Sequence, residues 1–257
     1  MCKRTSINIF LPTESNNWFF RLPSYIHQNI KTNYLRQPQN LMVWMVLSLL
    51  FFMVFNAHAK MPDSHPLPIA KSRNLPLGSA VVVEGTVTTH SGNFESSFFD
   101  KGFGLQDRSA GIYVSLQNDL GLVPGQQVRV NGKLQDSFGL LILVPTDPSE
   151  VMLDGVGHKI RPQWYATGRI GEATEGRIVR VVGKITQAPV NDLPFGFKFF
   201  VDDGSGEVQI FVNVQTGIDV SNLSLGQLVS VTGFSSQFET HYEIDPRSPS
   251  DIVFPIH

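Results

Sequence analysis

The stretch GFGLQDRSAGIYV, residues 102–114, reads as strand, tight turn and strand. Phe103 and Leu105 alternate with Gly104 and Gln106. The polar run Asp107-Arg108-Ser109-Ala110-Gly111 then breaks the pattern, and Ile112 and Val114 flank Tyr113. Period-two alternation over so short a span describes a half-buried strand pair, and the glycine-closed centre supplies its turn. The pattern returns as FKFFVDDGSGEVQIFV at 197–212.

Other landmarks recur in step with it. VVVEGTV at 81–87 matches VRVVGKI at 179–185, and GQQVRVNG at 125–132 matches GQLVSVTG at 226–233. Leu143-Val144-Pro145 matches Ile244-Asp245-Pro246, each trailed by Pro-Ser, an acid and an aliphatic residue at 148–151 and 249–252. The separation is roughly 100 residues, which means tandem domains and not a solenoid of small repeats. Each copy holds five strand-like runs, near 79–88, 100–107, 110–115, 126–135 and 139–145, then near 176–187, 196–202, 206–213, 226–236 and 240–246. Five short strands with glycines at the bends describe a small closed barrel, and Gly85 and Gly183 sit where a long first strand must curl. The fold expected is therefore all-β: two tandem five-stranded barrels after an N-terminal signal segment. The boundaries are 1–59 for leader and signal peptide, 60–76 for a proline-rich extended lead-in, 77–154 for the first barrel, 155–175 for a connector and 176–257 for the second. Within the connector, 163–173 suits a turn or two of helix.

The leader contains LMVWMVLSLLFFMVF at 41–55, an apolar run of signal-peptide length and short for a transmembrane helix. Small residues in Ala57-His58-Ala59 mark a cleavage site before Lys60, and basic Lys3, Arg4, Arg21, Lys31 and Arg36 against one acid, Glu14, suit a cytoplasmic flank. The 40 residues ahead of the apolar run exceed a usual signal n-region; either translation starts downstream or the long leader is genuine. The alternative to cleavage is an uncleaved single-pass anchor. Both imply export, to the periplasm or the medium, and cleavage leaves no stable membrane span.

The single cysteine, Cys2, lies in this leader, so the remainder has neither a disulfide framework nor a Cys/His zinc site. From Lys60 onward 15 Lys and Arg stand against 21 Asp and Glu, a net charge near −6, and both copies are mildly acidic. A protein that neutralises phosphates normally carries basic excess on one face, and this composition does not advertise one. Phosphate-loop, H-E-x-x-H and G-x-S-x-G motifs are absent, and the histidines beyond the leader (His65, His90, His158, His241 and His257) are scattered singly. Neither an enzyme, a cofactor nor a metal is expected. The acidic run Asp202-Asp203-Gly204-Ser205-Gly206-Glu207 has carboxylates at the short spacing a calcium ion uses, but lacks the length and distal glutamate of an EF-hand loop. Turn chemistry explains it better.

Alternation places Phe103, Leu105, Ile112 and Val114 on one face of the first hairpin, with Gln106 and Tyr113 opposite. In the second, Phe199, Val201, Ile210 and Val212 share a face, with Lys198, Phe200 and Phe211 opposite. If the aliphatic faces are the cores, then Gln106, Tyr113, Lys198, Phe200 and Phe211 are the candidate ligand-binding residues, rings serving as stacking platforms. The other reading is packing between the barrels or against the connector. Phe94, Phe98 and Phe99 fall in the loop between strands one and two, and 191–196 occupies the equivalent place in the second copy.

The order V-x-V-x-G-x-V, F-x-L-Q-D-x-x-x-G-I-Y-V, G-Q-x-V-R-V-x-G and a closing strand ending in proline resembles the nucleic-acid-binding type of bacterial OB-fold. Exported versions of it accompany secreted nucleases. It also resembles modules in the periplasmic sensing regions of histidine kinases and diguanylate cyclases, above all in E-G-R-I-V-R-V-V-G-K-I at 175–185. The resemblance covers roughly 77–257, with no nuclease, kinase or cyclase segment following. It implies a non-enzymatic OB-fold binding module whose strand-two and strand-three face takes ligand, with single-stranded nucleic acid as the leading class. The alternative is a sensory or protein–protein module working with a separate, exported output partner.

Overall fold

The computed structural model describes residues 65–93, 96 and 99–255, all within one compact unit of 59–257. The leader and Phe94 and Phe98 of the loop cluster lie outside the described residues. Among those described, no helix is long and apolar enough to cross a membrane.

The chain opens with one helical turn, α1 (Ile69–Ser72), followed by β1 (Ala80–Val87), β2 (Phe103–Gln106), β3 (Gly111–Val114), β4 (Gln126–Ser137) and β5 (Leu140–Val144). These five strands pair in the order β1-β2-β3-β5-β4, and β4 pairs back onto β1 to close a barrel. All the neighbours are antiparallel except β3 and β5, which run parallel with Tyr113 opposite Ile142. This is the OB-type order. The alternating aliphatic residues fill the interior: Val81, Val83, Phe103, Leu105, Ile112, Val114, Val128 and Val130 are buried in one cluster. Gly85 is required at the curl of β1, because a Cβ there would stand 2.9 Å from the Gln106 carbonyl oxygen.

A sixth strand, β6 (Val151–Val156), follows a short 3-10 turn at Pro148–Glu150 and pairs with β4. The second sheet contains β7 (Gln163–Trp164), β8 (Ile178–Asp192), β9 (Gly196–Asp202), β10 (Val208–Asn213), β11 (Leu228–Phe238), β12 (His241–Asp245) and β13 (Ile252–Val253). Its pairings run β13-β11-β12-β10-β9-β8-β7, with β11 also paired to β8 and β10 parallel to β12. Val179, Val181, Phe199, Val201, Ile210, Val212, Val229 and Val231 form its interior. The repeated Pro-Ser-acid-aliphatic tail makes the same 3-10 turn, at Pro249–Asp251, before β13.

Two segments depart from expectation. Residues 163–173 contain the expected helical turn, a 3-10 turn at Thr167–Arg169, but it is preceded within the segment by the strand β7, which was not expected. Within the lead-in 60–76, drawn as extended because of its prolines, Leu67 bridges Val83 and α1 buries Ile69 in the barrel core. The turn of the 102–114 hairpin holds α1 in place. Asp107 Oδ2 accepts from Ile69 N at 2.9 Å and Ser109 Oγ from Ala70 N at 3.0 Å, filling the unpaired donors at a helix start. Partial burial pushes the Asp107 carboxyl up, yet hydrogen bonds from Ser109, Ile69 and Ala110 hold it below its usual value.

Candidate ligand-binding cleft

The first barrel and the second sheet meet through the faces of β3, β5 and β11 that point away from their cores. Tyr113, Leu140, Ile142, Ile178 and Phe234 form a third buried cluster, in which the Tyr113 and Phe234 rings meet edge to face at 6.1 Å. Close approach is possible because glycines face the joint. A Cβ on Gly104 would touch the Phe234 ring at 2.9 Å, and one on Gly111 would overlap the Gly176 backbone. Gln106 Oε1 accepts from Ile178 N at 2.9 Å, and the Arg177 guanidinium donates to the Ser109 carbonyl. Arg73 donates from Nη2 to Glu175 Oε1 at 2.9 Å and from Nη1 to the Gly111 carbonyl at 3.2 Å. Glu175 Oε1 also accepts from Leu141 N at 3.2 Å.

Two of the five candidate residues therefore belong to this joint. Tyr113 is fully buried and donates to Asp100 Oδ1 at 2.6 Å, burial and the Asp100 charge raising its hydroxyl well above the usual range. Gln106 is buried too. Alternation puts both outside the first core, and the second half of the chain covers them there.

The other three lie on the second sheet. Register pairs Phe211 with Lys198 and Gln209 with Phe200 across β9 and β10. Lys198 and Phe211 line a cleft of 650 Å³ whose walls come from both halves, and Phe200 is half-buried on the same strand face beyond it. Lys198 donates to Asp192 Oδ2 at 3.3 Å.

The cleft is aromatic at its walls and acidic at its floor. Phe99 of the first barrel lies 5.8 Å from Phe195 of the second sheet, and Phe138 stacks on Phe238 at 6.2 Å and 27°. Each ring pair spans the two halves. Phe99 is 62 % exposed and Phe138 54 %, and their backbones are left-handed, at φ 54° and 52°. Bulky residues rarely adopt that conformation, which costs on the order of 1–3 kcal/mol. At Phe138 the hairpin tip is tied to the opposite one, where Glu239 N donates to the Phe138 carbonyl at 2.5 Å.

On β12, His241, Glu243 and Asp245 alternate with Tyr242 and the core residue Ile244, so all three point into the cleft. Glu243 accepts at Oε2 from Gln209 Nε2 at 2.6 Å, and burial pushes its carboxyl up to about 7. Asp245 is 3 % exposed, its Oδ1 has no hydrogen-bond partner, and burial together with the Glu243 charge raises it well above its usual value. Two buried carboxyls two residues apart on one strand cannot both ionise freely.

Sequence reasoning passed over these acids, although the repeat contained the signal. Leu140, Ile142 and Val144 of the first copy align with His241, Glu243 and Asp245 of the second. Three apolar outward positions on one strand are polar on its counterpart. The other acidic run has a local purpose. Asp203 Oδ1 accepts from Ser205 N at 2.9 Å and Thr167 Oγ1 at 2.8 Å, bonds from Ser205 and Thr167 that hold it near 2, while Asp202 Oδ1 accepts from Gly204 N and Gly206 N. Among the described residues no group of three or more His, Cys, Asp or Glu is placed to hold a metal.

No protein-family model matches the chain, and no curated protein matches it. Solved structures of similar shape include a murine DNA-binding protein bound with double-stranded DNA, at 13% identity over 68% of this chain and 97% of that one, TM-score 0.37. A replication protein A heterotrimer bound to single-stranded DNA aligns at 15% identity over 39% of this chain and 84% of that one, TM-score 0.29. The p204 HINb domain aligns at 10% identity over 66% and 93%, TM-score 0.33. At scores this low the strand pairings, and not these likenesses, define the fold.

Proposed function

We propose that the chain is an exported, non-enzymatic pair of tandem OB barrels that captures a ligand in the cleft between them, acting as the sensory or binding component beside a separate output partner. The observation that carries this is the pair of exposed rings, Phe99 and Phe138, held in left-handed backbone where they wall the cleft. Strained bulky residues persist only where the surroundings impose them, and here both face one concavity. Indole is a suitable probe, being flat, neutral and small. Protein-observed NMR should show the Phe195, Phe211 and Phe238 ring signals shifting in a saturable way, and Phe211→Ala should weaken the effect. Absence of any shift at millimolar indole would overturn the reading.

Single-stranded nucleic acid is the second reading, favoured by Phe211 and Lys198 standing side by side on β10 and β9. A base stacked on Phe211 would contribute about 1–3 kcal/mol, lost in Phe211→Ala, while removing Lys198 would only flatten the salt dependence. The acidic floor and the net negative charge oppose it, since phosphates would be repelled. A labelled oligothymidine titrated at low salt decides: no binding at tens of micromolar protein removes this reading.

A further inference from the structure

We propose that the cleft selects small organic cations carrying N–H donors on an apolar body, such as aryl-alkylammonium compounds, with Glu243 and Asp245 as the counter-charge beneath an aromatic enclosure. The inference rests on the cleft being a binding site and names the chemistry of what it holds.

Three independent features meet there. Asp245 Oδ1 is a buried acceptor without a partner at the floor of the cleft. An unmet acceptor of this kind is costly to keep in a folded protein, and a donor arriving with a ligand satisfies it. Next, phenylalanine rings, Phe195, Phe211 and Phe238 among them, wall the cleft beside polar Gln209, Asn213 and Gln237. The ring faces are electron-rich and attract a cation near the ring centre, while they cannot hydrogen-bond to a neutral polar ligand. Finally, the charge balance within the cleft is negative. The titratable groups facing it are Asp192, Lys198, His241, Glu243 and Asp245, and Lys198 is engaged with Asp192. An anion would meet two buried carboxyls; a cation would meet a counter-charge in a site of low dielectric, where the attraction is strong.

The partner's chemistry narrows further. A quaternary ammonium would gain from the rings but has no N–H for Asp245 Oδ1. A primary ammonium or guanidinium gains from both, through charge-assisted hydrogen bonds. The apolar body has room beside the Phe99–Phe195 and Phe138–Phe238 pairs, within the 650 Å³ available.

The test compares 2-phenylethylamine with its neutral counterpart 2-phenylethanol and its trimethylammonium analogue, by calorimetry on the full chain at about pH 8, above the range where Glu243 takes up its proton. The amine should bind at least about tenfold more tightly than either comparison, the scale of one charge-assisted hydrogen bond. Asp245→Asn should erase that preference, bringing the amine's affinity down to that of the alcohol. Should Asp245→Asn fail to fold, Glu243→Gln must reduce the preference in the same direction. Equal binding of amine and alcohol overturns the cation inference and leaves the cleft as a site for neutral apolar ligands. If amine, alcohol and indole all fail to bind, the proposed binding role falls with it. If indole alone binds, the role stands and the cation inference is overturned.

Discussion

Phe234→Ala tests whether the two halves stabilise each other. The ring is fully buried yet belongs to neither core; it lies against Tyr113, Ile142 and the bare face of Gly104. Truncating a buried phenylalanine costs about 3–5 kcal/mol, of which the edge-to-face contact with Tyr113 supplies about 0.5–1.5 kcal/mol beyond simple burial. Because the second core contains none of these contacts, the loss should fall on the coupling and not on either half alone. Trp164 permits the distinction, since the other tryptophans, Trp18 and Trp44, lie in the leader. In a chain lacking residues 1–59, Trp164 fluorescence follows the second sheet and far-ultraviolet circular dichroism follows both. In guanidinium the wild-type curves should coincide, and in Phe234→Ala they should separate, with the first barrel unfolding apart from the second sheet. A loss below about 1 kcal/mol with the curves still coincident would refute the reasoning. So would separate wild-type transitions, which would instead support independent folding of 60–156 and 157–257.

Arg73→Ala should cost about 3–5 kcal/mol near neutral pH, because it leaves buried Glu175 without its counter-charge; the penalty should shrink in acid, where the carboxyl takes up a proton, and chemical denaturation at two pH values checks both. For Glu243, whose folded value lies above the unfolded one, the folded state binds the extra proton, so stability should be greatest in mild acid and fall as pH rises towards about 7. Melting temperature against pH should show that slope in wild type and a flatter one in Glu243→Gln. On the proposed export, N-terminal sequencing of the processed protein should begin at Lys60, and an intact leader recovered in the membrane fraction would exclude that cleavage.

How far the sequence could be read follows from what each residue's position depends on. Phe103, Leu105, Ile112 and Val114 alternate for a local reason, the pleat of one strand pair, so their inward direction was legible without knowledge of the partner strands. The same alternation sets Tyr113 and Gln106 facing outward, but outward from one core is inward to another joint. What covers a sheet's second face is a long-range fact, decided here by Phe234 and Ile178, more than 60 positions away. The lead-in misled for a related reason: its prolines forbid a long helix, yet a single turn beginning after Pro68 needs only the donors and acceptors that Asp107 and Ser109 provide. Glu243 and Asp245 were recoverable by comparing the two copies position by position. That Asp245 Oδ1 is left without a partner could be seen only in three dimensions.

Arg73 sits ahead of the first strand in the chain, yet its contacts are with Gly111, Glu172 and Glu175. Residues 65–76 therefore act as a strap across the joint and not as a tether leading into it. A protease that nicked the chain before His65 would leave every one of these contacts intact. One that cut after Arg73 could release the strap, unpair Glu175 and loosen the two walls of the cleft while breaking no strand pairing beyond the single Leu67–Val83 bridge. Any shortened version of the protein that starts at the first strand would carry that same defect from the moment of its synthesis.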